Sequence, residues 1–431
     1  MIPRRRRAAA RLVTRRIGAP SATRPAGLRQ PARPGRTDDP SATRRAPSAL
    51  RRAGAGLVAL GLVLILGTAC SFGPPDPDQA GQPPNLPPPS AATSGDPAGS
   101  QEVAVTVLAK DLEVPWGMAF LPDGAALVTE RDTARILRVG PETDTNGLKV
   151  SEVQRLPEAQ ASGDGGLLGI AVSPRYATDR TVFIYYTTAK DNRVAKLTLG
   201  GKPQPILTGI PRSPGDNGGQ VAFGPDGFLY VGTGDATPGT QAQDPKSLGG
   251  KILRVTTDGK PAPGNPVKNS RVWSSGHRNV RGLAWDSGKR LYASESGQKT
   301  YGELNLIQKG KNYGWGRVEG EGADPAYVNP LVSWPIAESN CAGVAVLERM
   351  IASACLLGKR LWLADTTGNG TLIGQPQALL TGEYGRLRAL ATAPDGSLWV
   401  ATSNQEDGGD PGPDDDRIIR LVFADGGAGR S

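Results

Sequence analysis

Arg386 and Arg388, two residues apart in GRLRALATAPDG, are the pair in this sequence best suited to hold an anion. Residues i and i+2 of a strand point to the same face. The two guanidinium groups would therefore stand side by side, each presenting a planar fork of donors that matches a carboxylate. The pair suits a ligand carrying several carboxylates; on spacing alone it suits equally a solvated sheet edge or ion pairs between blades. The loop SGHRN adds a third cation, Arg278, beside Asn279 and His277, the only histidine of the chain. A lone histidine is more often structural, and nothing in this loop assigns it a proton-transfer role. Two glycine-rich stretches follow: SESGQKTYGELNL, with Gly297, Gln298, Tyr301 and Glu303, and GKNYGWG, with Tyr313, Gly314 and Trp315. Carbonyls in such turns are oxygen ligands of the kind Ca²⁺ takes, and the same residues are equally ordinary turn formers.

These segments are held by an internal repeat. Six blocks recur, and their matching alanines are Ala119, Ala171, Ala222, Ala284, Ala345 and Ala391, spaced by 52, 51, 62, 61 and 46 residues. Each block reads as a strand, a tight turn and a second alternating strand. Pro-Asp-Gly supplies the turn at Pro122–Gly124, Pro225–Gly227 and Pro394–Gly396, with Pro fixing φ and Gly accepting positive φ. A third strand often follows, as in ARILRV, KILRVTT, GELNLI and DRIIRL. Repeats of this length with three or four strands predict an all-β, six-bladed β-propeller over residues 103–424. VAVTVLA, from Val103, is expected to close the ring by completing the last blade. Propellers bind ligands at the mouth of the central channel, where the Arg386 and SGHRN loops are expected to meet.

The ordered series VPWGMAFLPDG, GGLLGIAVSP, GGQVAFGPDGFLYVGTGDA, GKILRV, SSGHRNVRGLAW, GELNLIQKGKNYGWG and LLTGEYGRLRALATAPDGSLWVATSN resembles the soluble glucose/sorbosone dehydrogenase family from about Val114 to Leu421. That resemblance implies a six-bladed propeller, pyrroloquinoline quinone (PQQ) with Ca²⁺ as cofactor, and oxidation of a sugar or related polyol. It implies that Arg278, Asn279, Arg386 and Arg388 hold PQQ and that the carbonyls of Gly297 and Gln298 hold its Ca²⁺. PQQ carries three carboxylates, an anion of the kind the arginine spacing calls for.

Two positions depart from the family pattern. The family places its general base, a histidine, just before the Gly-Gly of GGQVAFGPDG; this chain has Asp216 there, in GDNGG. Asp164, in SGDGGLLG, is the expected neighbour of Asp216 on the substrate side. A Lys or Arg usually precedes the glycine of the fifth block's second strand, where this chain has Leu357 before Gly358. A carboxylate can act as general base, although its reference pKa of about 3.9 lies well below the imidazole's value of about 6.5. The departures keep a second reading open, a catalytically silent propeller that binds carbohydrate or a protein partner. The sequence specifies neither the sugar nor the electron acceptor.

The formal charge of +9 is unevenly spread. Residues 1–52 hold fifteen Arg against Asp38 and Asp39, a local +13, which leaves −4 for everything after them. The basic excess thus sits in an Arg-rich extension, and the body offers no electrostatic case for nucleic acid. Residues 53–70 read as a signal peptide, with Arg51 and Arg52 before an apolar run and small residues leading to Cys70. Gly-Thr-Ala-Cys resembles a lipobox, which implies cleavage before Cys70 and a lipid on its thiol; the alternative is an uncleaved anchor, for which the run is short. Residues 71–102, rich in Pro and Gly, read as a tether. The expected location is therefore extracytoplasmic, lipid-anchored at the cell membrane. After Cys70 only Cys341 and Cys355 remain, a pair that outside the cytoplasm predicts a disulfide, with two buried thiols as the alternative.

Overall fold

The computed structural model describes residues 103–423, apart from 145–146 and 238. The Arg-rich extension, the signal segment with Cys70 and the tether lie outside the described residues. The described chain forms six four-stranded antiparallel sheets, the propeller expected from the repeat. The inner strands are Pro115–Phe120, Leu167–Val172, Gly218–Phe223, Val280–Trp285, Cys341–Leu347 and Leu387–Thr392, and we number the blades 1 to 6 in that order. The six repeat alanines all fall on these strands, and each pairs directly with a residue of the next strand outward, as Ala119 with Leu127 and Ala391 with Trp399.

Local chemistry explains the blocks. In the Pro-Asp-Gly turns the glycines have φ of +83°, +76° and +79°, a region open to Gly at little cost. The aspartate of each turn accepts the amide N–H two residues on: Asp123 from Ala125, Asp226 from Phe228 and Asp395 from Ser397. Glycines two residues before the repeat alanine have a different reason. A Cβ on Gly169 would lie 2.3 Å from the Gly219 carbonyl oxygen, and one on Gly282 would lie 2.6 Å from that of Ala342. At these glycines the neighbouring inner strand approaches backbone to backbone, and only hydrogen fits between them.

Apolar side chains fill the spaces between blades. Phe183 meets Phe223 edge-on at 5.2 Å, Tyr230 meets Trp285 at 5.1 Å, and Phe120 meets Trp399 at 5.0 Å. Each of blades 1 to 5 has a fourth, outer strand that the repeat does not announce; Gln204–Ile210, for example, is QPILTGI with no clean alternation. The ring closes as expected: Val103–Ala109 pairs antiparallel with Ile418–Phe423, Val105 opposite Leu421. Asp416 ties the closure, its buried carboxylate accepting from the Val114 and Asn404 amides and the Thr402 hydroxyl.

Cys341 and Cys355 are disulfide-bonded. They face each other across the first two strands of blade 5, both fully buried. Their sequence separation is 14, and on the chain-entropy account a loop of that size contributes roughly 3 kcal/mol. The double variant Cys341→Ala/Cys355→Ala should lose about that much in denaturant unfolding; an unchanged midpoint would show that the bond adds nothing to the blade.

Candidate active site at the channel mouth

The loops that enter the inner strands gather at one end of the channel, carrying Asp164, Asp216, Arg278 and Arg386. Arg131 and Glu406, just past the second strands of blades 1 and 6, join them. They line one cavity of about 280 Å³.

Arg386 and Arg388 are 7% and 2% exposed, which excludes a solvated edge. Both turn the same way, as the two-residue spacing requires, and meet at Glu406. Arg386 Nη2 donates to Glu406 Oε2 at 2.9 Å, and Arg388 Nη2 donates to the same oxygen. Arg131 Nη1 donates to Oε1 at 2.5 Å. Burial alone would push the Glu406 carboxyl up; Arg388, Arg131 and Arg281 outweigh it and hold the group well below the usual carboxylate range. Ion pairing, one of the alternatives for the arginine pair, is thus realised, within blade 6 and across to blade 1. Donors are nevertheless left over: Arg386 Nε and Arg278 Nε are buried with no hydrogen-bond partner.

Asp216 sits on the loop into blade 3 with φ +57°, a conformation that aspartate adopts more readily than most residues. Its Oδ1 accepts from Arg278 Nη2 at 2.8 Å and Asn279 Nδ2 at 3.1 Å. Asn279 is locked in turn, its Oδ1 accepting the Gly218 amide at 2.8 Å. Burial pushes the Asp216 carboxyl up, Arg278 and Arg281 oppose this, and Asp164 and Asp235 add to it; the net direction is upward. Asp164 belongs to the adjoining loop, its amide donating to the Pro214 carbonyl at 2.7 Å. Its carboxylate pairs with Arg281 Nη2 at 2.6 Å, and for it Arg281 and Arg388 overcome burial, so its pKa is lowered. Two carboxylates in one cavity are therefore driven apart, the pattern that separates a proton-accepting group from a permanently charged one.

The calcium-ligand candidates lie at the same mouth. The Gly297 carbonyl accepts from Arg278 Nη1 at 2.7 Å, and a Cβ there would lie 1.5 Å from the Tyr301 carbonyl oxygen, so only glycine fits. The Gln298 amide donates to Glu319 Oε1 at 2.7 Å. Arg278 also lies over the Trp315 ring, 5.4 Å from its centroid. His277 turns away from the channel: its Nδ1 meets Glu295 Oε1 at 2.5 Å and its Nε2 meets Ser274 at 2.8 Å, with the ring stacked on Tyr313. Glu295 also accepts the Arg278 amide at 2.9 Å, so the histidine braces the loop that presents Arg278. Leu357 is 46% exposed in the turn between the second and third strands of blade 5, where it supplies no charge.

Arg131, Arg281 and Glu406 are the site residues that sequence reasoning missed. Arg281 follows Asn279 by two on the strand entering blade 4, the same cue that singled out Arg386 and Arg388. Arg131 and Glu406 stand in loops with no periodicity, and only closure of the ring between blades 6 and 1 brings them together.

The sequence profile of the glucose/sorbosone dehydrogenase family matches residues 112–409. A PQQ-bound aldose sugar dehydrogenase of Streptomyces coelicolor superimposes with a TM-score of 0.71 at 45% identity, covering 75% of this chain and 99% of its own. Quinoprotein glucose dehydrogenase B of Acinetobacter calcoaceticus is 32% identical over 270 residues, 53% of this chain and 56% of its own length. An uncharacterized protein of Synechocystis is 39% identical over 248 residues, 51% of this chain and 60% of its own length. The chain thus spans little more than half the length of these two curated relatives. With a profile match that runs through all six blades and includes Asp164, Asp216, Arg278, Arg386 and Glu406, the chain belongs to the glucose/sorbosone dehydrogenase family.

Proposed function

We propose that the protein is a PQQ-dependent dehydrogenase that oxidises a sugar or related polyol, exported and held at the outer face of the cell membrane by a lipid on Cys70. The observation that carries the reading is the convergence of buried guanidinium groups on one cavity, with the Nε donors of Arg278 and Arg386 left without an acceptor. Buried donors are normally satisfied, and a ligand with several carboxylates fits donors of this kind. Arg278, Arg386 and Arg388 would hold the carboxylates of PQQ, Asn279 its polar edge, and the Gly297 and Gln298 carbonyls its Ca²⁺. When bound, PQQ supplies the hydride acceptor. Asp216 accepts the proton of the hydroxyl being oxidised, and its raised pKa brings it nearer to neutral pH, where a general base works best. Asp164, kept charged by Arg281, offers the sugar a fixed hydrogen-bond acceptor.

A second reading, a silent propeller, is favoured by one feature: Asp216 already has Arg278 and Asn279 as partners. Adding PQQ and Ca²⁺ to the purified protein separates the two. A bound-quinone absorbance together with aldose-dependent reduction of a dye is the expected result. Absorbance without turnover identifies the silent form, and the absence of both overturns the cofactor assignment. For the anchor, Cys70→Ala should move the protein out of the membrane fraction or block its processing; unchanged membrane retention would point to an uncleaved segment instead.

A further inference from the structure

Glu406 has no place in the chemistry above, yet it holds the cofactor-anchoring arginines. Arg131 has a second carboxylate in Asp132 at 2.7 Å, whereas Arg386 and Arg388 share Glu406 alone among the described residues. The carboxylate is 9% exposed and lies on the wall of the cavity, so a ligand entering there meets it directly. A buried guanidinium needs a counter-charge, and Glu406 provides one from within the chain.

We propose that Glu406 is a resident counter-ion that occupies the arginine site in the free protein and competes with any carboxylate-bearing ligand, so that its charge sets the affinity of the site. The geometry supports competition. Both arginines spend an Nη2 donor on one Glu406 oxygen, while Arg386 Nε, buried at the same place, is unpaired. A ligand carboxylate could take that free donor directly but would gain the two contested ones only by pushing Glu406 aside, and would otherwise sit beside it against like-charge repulsion. Either route makes Glu406 oppose binding. The segment that carries it continues into Gly408, at φ +80°, and Gly409. The proposal rests on the cofactor reading for the ligand's name and not for its chemistry.

The test uses two probes, PQQ with Ca²⁺ and pyridine-2,6-dicarboxylate, each titrated calorimetrically into the wild type and Glu406→Gln at one ionic strength. Glutamine keeps an acceptor for the arginines and removes the charge. The expected result is binding of the dicarboxylate about tenfold tighter in Glu406→Gln, the size of one charge-assisted contact, and a shift in the same direction for PQQ. If the variant binds the dicarboxylate no more tightly than the wild type, the proposal is overturned, whatever PQQ does. If the dicarboxylate tightens and PQQ binds to neither protein, the counter-ion role stands and the cofactor reading falls. Should Glu406→Gln fail to fold, Glu406→Asp decides. It keeps the charge but draws it back by one methylene from three arginines, so tighter dicarboxylate binding supports the competition and unchanged or weaker binding overturns it.

Discussion

Asp216→Asn should lower sugar-dependent turnover by about 10²–10⁴-fold, the usual effect of removing a positioned base, and should leave PQQ bound. The substitution isolates the base with little disturbance elsewhere. Asp216 has φ +57°, a region where Asn, Asp and His are enriched, so neither asparagine nor histidine strains the loop. The asparagine carbonyl can still accept from both Arg278 and Asn279, the two partners of Asp216, which keeps the mouth in place. The wild-type pH profile carries the second signature. The Asp216 carboxyl is pushed up by burial, only partly offset by Arg278 and Arg281. A base works only when ionised, so turnover should fall as pH drops through this raised pKa, at a higher pH than an exposed aspartate would give. Asp216→Asn should abolish that acid limb in whatever activity is left. Asp216→His is the sharper variant, because no other site histidine exists: His277 is buried against Glu295 and Ser274. If the wild type is inert with PQQ and Ca²⁺ and Asp216→His oxidises aldoses, the natural protein is the silent form. If Asp216→Asn matches an active wild type, the base lies elsewhere.

The fold was legible because the propeller repeats its own reasons. The Pro-Asp-Gly turns and the repeat alanines each mark one structural requirement several times over, so blade number, inner strands and closure by Val103–Ala109 could be read directly. The other five outer strands could not, since strands such as QPILTGI are half exposed and no burial pattern constrains them. The candidate site divides along the same line. Arg386 and Arg388 were visible as a same-face pair on a strand, and Cys341 and Cys355 as an isolated pair. Asp216 was placed by the family resemblance alone. Arg131 and Glu406, 275 residues apart in the chain, were illegible because an ion pair across the ring closure leaves no periodicity in either loop.

Arg386→Ala and Arg388→Ala should both weaken PQQ binding but by different routes, and the difference tests whether these residues anchor it. Losing a charge-assisted contact costs on the order of 1.5–3 kcal/mol, so each variant should bind at least about tenfold more weakly. Arg386 keeps its buried Nε free of any partner and therefore has the larger uncommitted share to give a ligand. Arg388 is the more committed: it is 2% exposed, its Nε donates to Ser403 at 3.1 Å and its Nη2 donates to Glu406. Arg386→Ala should accordingly show the greater loss of PQQ affinity. Arg388→Ala should show the greater loss of stability, roughly 1–3 kcal/mol for acceptors left buried and short of a donor. Arg388→Lys would retain the charge without the fork, and should recover part of the stability but little of the binding. Calorimetry with PQQ and denaturant unfolding, run on the same preparations, read the two effects separately. Wild-type affinity in both alanine variants would place these arginines off the cofactor and leave them as blade-closing ion pairs.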